Sequence, residues 1–239
     1  MKCFLYLVVF LCSSFGFSQS SAFQVWNETG IKMGVSKRVS LGADWTNRIG
    51  EQGFVKMFPQ ATIKVKVFDW FRPSIDFRYI IDKSSSGIYS GGSRINLNAQ
   101  FNYDKKRFIA GLRFRYQYSF DRLSADYDSD FDKAYRIKPQ IFYDIKNSVF
   151  SPIISAEFFY DPNFAPLGRR FNKIRYFIGA SLDFSGPHSF QFGYQYDQKI
   201  NLPAPINKHI LNISYTYSIK KKKGGGEKNG IKPKNSKNL

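Results

Sequence analysis

The chain has 239 residues, of which 18% are aromatic, and a formal net charge of +18. Its length suits a single domain, because β-barrels often reach about 200–250 residues as one unit. Nucleic-acid-binding proteins collect their basic residues on one face. In this chain the basic residues recur along the whole sequence beside Phe and Tyr, which argues against nucleic acid as a partner.

The first residues have the pattern of a secretory signal peptide. Lys2 gives a positive start, and residues 4–15 form an apolar run. Gly16 and Ser18 supply the small residues that precede a cleavage site, so we predict a cut before Gln19. The apolar run is too short for a membrane-spanning helix. An exported protein is therefore predicted.

The only cysteines are Cys3 and Cys12, and both lie inside the predicted signal peptide. The mature chain is thus predicted to have neither disulfides nor thiol chemistry. The bulky Leu11 directly before Cys12 argues against processing as a lipoprotein. No later segment is apolar over 18 residues, so strands rather than helices would have to cross a membrane.

An alternation of apolar and polar residues with period two dominates the mature chain. In residues 94–103, Ile95, Leu97 and Phe101 fall on one face, and the intervening positions are polar. This alternation matches a strand with one apolar and one polar face. Its length is also about that of a strand crossing a bilayer at a tilt. The pattern predicts eleven segments, near residues 24–36, 39–48, 54–67, 71–81, 94–103, 108–118, 133–144, 149–160, 173–182, 190–196 and 211–219.

The predicted connections alternate between short turns and longer loops. Outer-membrane barrels place short turns on one side of the membrane and longer loops on the other. The short turns are predicted at 37–38, 69–70, 104–106, 146–148 and 185–188, and the longer loops at 49–53, 82–93, 121–132, 161–169 and 198–208.

The predicted fold is all-β: a transmembrane antiparallel β-barrel of about twelve strands, within a range of ten to twelve. Bacterial single-chain barrels usually have an even number of strands, whereas the pattern gives eleven segments. Two arrangements remain open. In the first, Phe23–Glu28 forms a separate short strand, which gives the favoured count of twelve. In the second, the first strand pairs parallel with the last, as in the odd-stranded mitochondrial barrel.

Alternation alone does not say which face points inward. A soluble lipocalin-like barrel would bury the apolar face, and a membrane barrel would expose it. Three features favour the membrane barrel: an aromatic apolar face with Tyr near strand ends, a polar face rich in Gly, Ser, Asn and Gln, and the lack of cysteine. The predicted location is the outer membrane of a Gram-negative bacterium. The tyrosines are Tyr103, Tyr143, Tyr160, Tyr196 and Tyr217.

Several stretches together resemble the bacterial domain-of-unknown-function family numbered 2490, which is common in Bacteroidetes. The resemblance covers nearly the whole mature chain, about Phe23 to Ile219, and consists of many weak positions rather than one motif. It implies a barrel of the outer membrane and brings no established activity. The stretches are residues 35–41, 143–146, 155–160, 172–176 followed by Gly179, and 208–215.

The end of the last predicted strand resembles a barrel-assembly signal, with Asn212, Ser214, Tyr217 and Ile219. The resemblance implies the barrel-assembly machinery as a partner. The chain departs from the signal by having Ser where Gly is preferred and by continuing beyond the strand. The other predicted partners are outer-membrane lipid, lipopolysaccharide and a small anion.

The polar face carries twice as many bases as acids, an excess of six positive charges. In one hypothesis, ion pairs plug a small lumen, because ten to twelve strands leave little free bore. In the alternative, the bases line a narrow path that selects a small anion. The predicted lumen bases are Arg48, Lys64, Lys66, Arg72, Arg78, Arg94, Arg113, Arg115, Arg136, Lys138, Lys173 and Arg175, and the acids are Asp44, Asp76, Asp144, Glu157, Asp183 and Asp197.

Enzyme chemistry receives little support from the sequence. His188 is predicted in a short turn, and His209 at the mouth of the last strand. A lipid hydrolase that uses His209 with a nearby Ser or Asp is a second alternative. No Gly-x-Ser-x-Gly motif and no HExxH spacing occurs, so we predict no enzyme activity, no cofactor and no metal. The alternating acids of loop 126–132 are interpreted as solvated.

Three segments are predicted in all. Residues 1–18 form the signal peptide, and residues 19–219 form the barrel. Residues 220–239 carry eight lysines and one glutamate with almost no large apolar side chain. Such a segment does not bury enough surface to fold alone, so we predict a disordered tail on the periplasmic side. The leading functional prediction is a structural or narrow-pore barrel.

Overall fold

A computed structural model describes residues 21–51, 53–83, 87–122, 133–163, 168–184 and 186–219. The predictions for the signal peptide, the acidic loop and the tail lie outside these residues. Across the described ranges, no helix is long and apolar enough to cross a membrane. The described strands are β1 Ser21–Gly34, β2 Val39–Gly50, β3 Gly53–Val65, β4 Phe71–Lys83, β5 Tyr89–Lys105, β6 Phe108–Arg122, β7 Lys133–Tyr143, β8 Phe150–Asp161, β9 Arg170–Asp183, β10 His188–Lys199 and β11 Asn207–Ile219.

These strands form one closed barrel in which each strand pairs antiparallel with its neighbours in sequence. The exception is the closing seam, where β1 pairs parallel with β11, from Ser21 opposite Asn207 to Met33 opposite Ile219. The eleven described strands fall within the predicted range and are one fewer than the favoured twelve. Phe23–Glu28 is part of β1 rather than a separate strand. The alternative of a parallel first and last strand is therefore confirmed.

The two ends of the barrel differ in their connections. The turn end carries the links after β1, β3, β5, β7 and β9, and the loop end carries those after the even-numbered strands. At the loop end, the β6–β7, β8–β9 and β10–β11 links are longer than any at the turn end, as predicted. The β2–β3 link is short, because β2 and β3 continue through most of the predicted loop 49–53 and pair as far as Gly50 and Gly53.

The barrel is polar inside and apolar outside. Among the described residues, nine hydrophobic side chains are buried, against eighteen polar or charged ones, while 38 large hydrophobic side chains are exposed. Soluble proteins bury their apolar residues and almost never bury an unpaired charge. The polar faces of the strands, such as Asn96, Asn98 and Gln100 on β5, point inward. The lipocalin-like arrangement is therefore excluded.

Two paired glycines on the inward faces of β9 and β10 leave space for the aromatic ring of Phe177. Gly179 lies opposite Gly193. A Cβ atom at either position would lie within 2.5 Å of a backbone oxygen, and within 2.7 Å of the Cζ atom of Phe177. Only glycine leaves space there for the Phe177 ring inside the barrel.

The parallel seam predicts a specific crosslink. In the chain from Gln19 onward, which lacks Cys3 and Cys12, cysteines replacing Ile31 and Tyr217 should form an intramolecular disulfide, because these positions are paired on adjacent strands. The readout is electrophoretic mobility with and without reductant. Cysteines replacing Ile31 and Leu211 are the control, since they lie about 20 Å apart along the strands. A strand inserted at the seam would abolish the first crosslink.

Candidate functional site

The charged interior is the candidate site, and the structure places most of the predicted residues there. Seventeen of the eighteen predicted lumen residues lie on inward strand positions or line interior cavities. Lys66 follows the end of β3 and still lines the cavity at the turn end. Asp144 is a correction, because it follows the end of β7 and lines none of these cavities. Lys66 lies at the turn-end mouth, where its hydrogen bond lowers the pKa of the exposed Asp69. Asp144 is exposed, and its backbone N–H donates to the carbonyl of Arg107.

Glu157 on β8 lies at the centre of the interior and is 2% exposed. Arg136 donates from Nε to Oε1 at 3.0 Å and from Nη2 to Oε2 at 2.8 Å. Arg113 donates from Nη2 to Oε1 at 2.9 Å. Nη1 of Arg175 lies 3.8 Å from Oε2. One carboxylate thus joins arginines from β6, β7 and β9, which satisfies the requirement that a buried charge be paired.

Arg175 extends this network to a second carboxylate. Its Nε and Nη2 atoms donate to Oδ1 and Oδ2 of Asp197, each at 2.7 Å. This bidentate geometry is the strongest arrangement of an arginine and a carboxylate. Gln195 donates to Asp197 Oδ1 at 3.0 Å, and Lys173 Nζ lies 4.0 Å from Oδ2. Asp197 is 3% exposed, so strands β8, β9 and β10 are joined within the barrel.

A third carboxylate, Asp76 on β4, anchors the opposite wall. Arg115 donates to its Oδ2 atom at 2.9 Å, and Asn98 donates to the same oxygen at 2.9 Å. Arg115 Nε in turn donates to Oδ1 of Asn98 at 2.5 Å. Nearby, Arg78 Nε donates to Gln60 Oε1 at 2.9 Å. Polar side chains of β3, β4, β5 and β6 therefore hold one another in fixed positions.

Several guanidinium groups inside the barrel also make cation–π contacts with aromatic rings. The Cζ atom of Arg48 lies 3.6 Å from the ring centroid of Trp26, and that of Arg136 lies 4.3 Å from Phe159. Arg78 lies 4.1 Å from Phe58. Such contacts stabilise a cation by electrostatic attraction to the ring. These inward rings were not predicted, because the sequence analysis treated the inward face as polar.

Other interior charges were also missed by the sequence analysis. Glu28 and Lys32 lie on the inward face of β1 and line interior cavities. Lys56 pairs with Asp82 at 2.6 Å near the loop end. The inward position of Lys56 could have been predicted, because Lys56 is an even number of residues from Lys64 on β3 and therefore lies on the same face of the strand. Asp82 was assigned to a loop, and β1 was left out of the charge comparison.

Three cavities occupy parts of the described interior, with volumes of about 550, 350 and 330 Å³. Arg113 lines all three. The 350 Å³ cavity is lined by Arg94, Arg113, Arg115 and Arg136, so these four arginines share one stretch of wall. The 550 Å³ cavity reaches the β1–β2 turn at the turn end.

Two small clusters of buried apolar side chains lie in the described interior toward the loop end. Phe58 and Ile80 form one buried cluster, and Ala134 and Phe159 form another. Ile210 on β11 is also completely buried. Apolar packing excludes water and ions from the space it fills. These side chains therefore narrow the interior toward the loop end, beside the 350 Å³ cavity that Phe58 and Phe159 also line.

The histidines lie outside this network. His209 is on the outward face of β11, where its Nδ1 atom is 2.5 Å from the hydroxyl of Tyr194 and its ring is 5.1 Å from that of Tyr196. His188 Nδ1 is 2.9 Å from the hydroxyl of Tyr215. These contacts of His209 are made with tyrosines rather than with the Ser or Asp of the hydrolase hypothesis. In the part of the chain that is described, no group of three or more His, Cys, Asp or Glu is placed to hold a metal ion.

Comparisons with known proteins give a family and no described activity. A family model described as "Protein of unknown function (DUF2490)" matches residues 23–208. No curated protein and no solved structure matches the chain.

The Glu157 network yields a stability prediction. Glu157→Gln should lower the free energy of unfolding by about 3–5 kcal/mol, because Arg136 would lose its charged partner while it remains buried. Urea titration of the folded protein in detergent or lipid measures this change. Asp104→Asn, at an exposed position of the turn end, is the control and should have little effect. Equal changes in the two variants would contradict a central role for Glu157.

Proposed function

The chain belongs to the DUF2490 family, and we propose that it is an outer-membrane β-barrel whose interior is closed by ion pairs. Its role is then structural, rather than that of a general diffusion pore. Its partners in this proposal are outer-membrane lipid, lipopolysaccharide and the barrel-assembly machinery that binds the last strand. The observation that carries the proposal is the combination of an exposed apolar outer face with a buried ionic network.

The distribution of outward side chains supports membrane insertion. Aromatic rings gather near both ends of the strands. Phe108 and Tyr143 meet at the turn end with ring centroids 4.8 Å apart, and Tyr160 and Phe171 meet at the loop end at 5.3 Å. Aromatic girdles at the two interfaces are typical of outer-membrane barrels. Between the girdles the exposed side chains include Leu97, Ile154, Ile178 and Ile213.

The strand lengths also suit an outer membrane. Strand β2 has 12 residues. At about 3.3 Å per residue and a tilt of about 40°, such a strand rises about 30 Å along the barrel axis. The apolar band of an outer-membrane barrel is about 25 Å tall, so the outward face is long enough to cover it.

The buried ion pairs and apolar clusters toward the loop end support a closed interior. Arg136 and Glu157 are 8% and 2% exposed, and the apolar cluster of Ala134 and Phe159 lies beside them. Eleven strands lie between the eight-stranded barrels that side chains fill and the sixteen-stranded barrels that leave a channel. A second candidate, passage of a small anion, is favoured by one observation: Arg113 lines all three interior cavities.

Arginine scanning on one strand tests membrane insertion. Ile213→Arg, near the middle of outward β11, should cost about 2–4 kcal/mol of stability in lipid, because it places a charge near the bilayer midplane. Ile219→Arg is the matched control at the turn end of the same face, where the cost should be about 0–1 kcal/mol. Refolding titrations in lipid vesicles measure both variants. Equal costs would contradict insertion with this orientation.

Conductance across a planar bilayer tests closure. The refolded protein should give no stable current, and Arg113→Gln/Arg115→Gln should lower stability by several kcal/mol because it breaks two buried pairs. If the interior is an anion path instead, the wild type conducts anions, and the variant loses selectivity at nearly unchanged stability. Lys105→Gln/Arg107→Gln removes the same charge from an exposed turn and serves as the control.

A further inference from the structure

The turn-end chamber, the 550 Å³ cavity bounded by β1–β6, β11 and the β1–β2 turn, has the features of a ligand site. We propose that it binds a phosphate-rich anion of small-molecule size. Eight basic and two acidic side chains line it, an excess of six positive charges. Its volume is within the range of pockets that hold small ligands, about 300–1,000 Å³.

The charges of the chamber are only partly neutralised by the protein. Asp76 is already bound to Arg115 at 2.9 Å. Lys32, Lys37 and Arg38 line the chamber and have no carboxylate within ion-pair distance among the described residues. Arg72 likewise has no ion pair there, and its Nε atom is buried without a hydrogen-bond partner in the described chain. Unmet donors and cations that converge on one cavity attract an anion.

The other lining residues narrow the class of ligand. Among the described residues that line the chamber, none is aromatic, so there is no ring on which a base or a sugar could stack. The neutral lining is mostly hydroxyl and amide side chains, such as Ser74 and Gln100. These groups donate to oxyanions, and arginine matches phosphate geometry in particular. A compact ligand with two or more phosphates fits both the charge and the chemistry.

Two sources of phosphate are compatible with the rim of the chamber. Met33, Leu41 and Ile219 also line it and lie at its outer edge. A lipid phosphate could place its headgroup in the chamber and its acyl chain against these side chains, whereas a free oligophosphate would leave them unused. The proposal does not depend on membrane insertion or on a closed interior, because binding can be measured on protein folded in detergent.

Isothermal titration of the detergent-folded chain with sodium tripolyphosphate tests the proposal. We expect saturable binding of one anion per chain, weakened by salt. Lys32→Gln/Arg72→Gln should lower the affinity about tenfold or more, because two charge-assisted contacts are lost. Lys37→Gln/Arg38→Gln should also weaken binding. Because it changes only an exposed turn, this second variant tests the site even if the first variant does not fold.

The control variant removes the same charge from the same end of the barrel but outside the chamber. Lys105→Gln/Lys146→Gln alters the exposed end of β5 and the β7–β8 turn, and it should bind tripolyphosphate as the wild type does. Equal weakening in this control, or no saturable binding by the wild type, would overturn the proposal. Competition with lysophosphatidate in the micelles then identifies the source: displacement indicates a lipid phosphate, and none indicates a free oligophosphate.

Discussion

The interior depends on one buried carboxylate that is shared by several arginines. Glu157 binds Arg136 through both of its oxygens and also meets Arg113 and Arg175. Removing one partner of a buried ion pair costs far more folding free energy than an exposed ion pair contributes. Because Arg175 is also bound to Asp197, the effect of Glu157 reaches β10. The carboxylate thus holds four neighbouring strands together from inside the barrel.

This network separates the loop-end part of the interior from the turn-end chamber. On its loop-end side, rings such as Phe159 pack against the guanidinium groups and narrow the interior. On its turn-end side, bases outnumber acids and the space stays hollow. Arg113 contacts Glu157 and also lines all the cavities, so it lies at the boundary. The proposed closure and the proposed anion binding are compatible in one molecule, because the Glu157–Arg136 pair does not line the chamber.

Strands with strict alternation could be predicted from the sequence, and those without it could not. In β5 the inward Asn96 and Asn98 and the outward Leu97 follow the predicted faces. In β1 the pattern is mixed, because Trp26 points inward while Asn27 is exposed outside. Parity shows that Arg113 and Arg115 share a face, but their different partners, Glu157 and Asp76, depend on barrel curvature and side-chain reach. The periodicity of the sequence carries no information on barrel curvature or on side-chain reach.

The odd number of strands places the start of β1 and the end of β11 at opposite ends of the barrel. Strand β1 begins at the loop end, whereas β11 ends at the turn end with Ile219. Ser218 and Ile219 line the turn-end chamber, so the last strand contributes its final residues to the wall of the proposed site. An even-stranded barrel would place both of these ends on one side, whereas the parallel seam leaves only the end of β11 at the chamber.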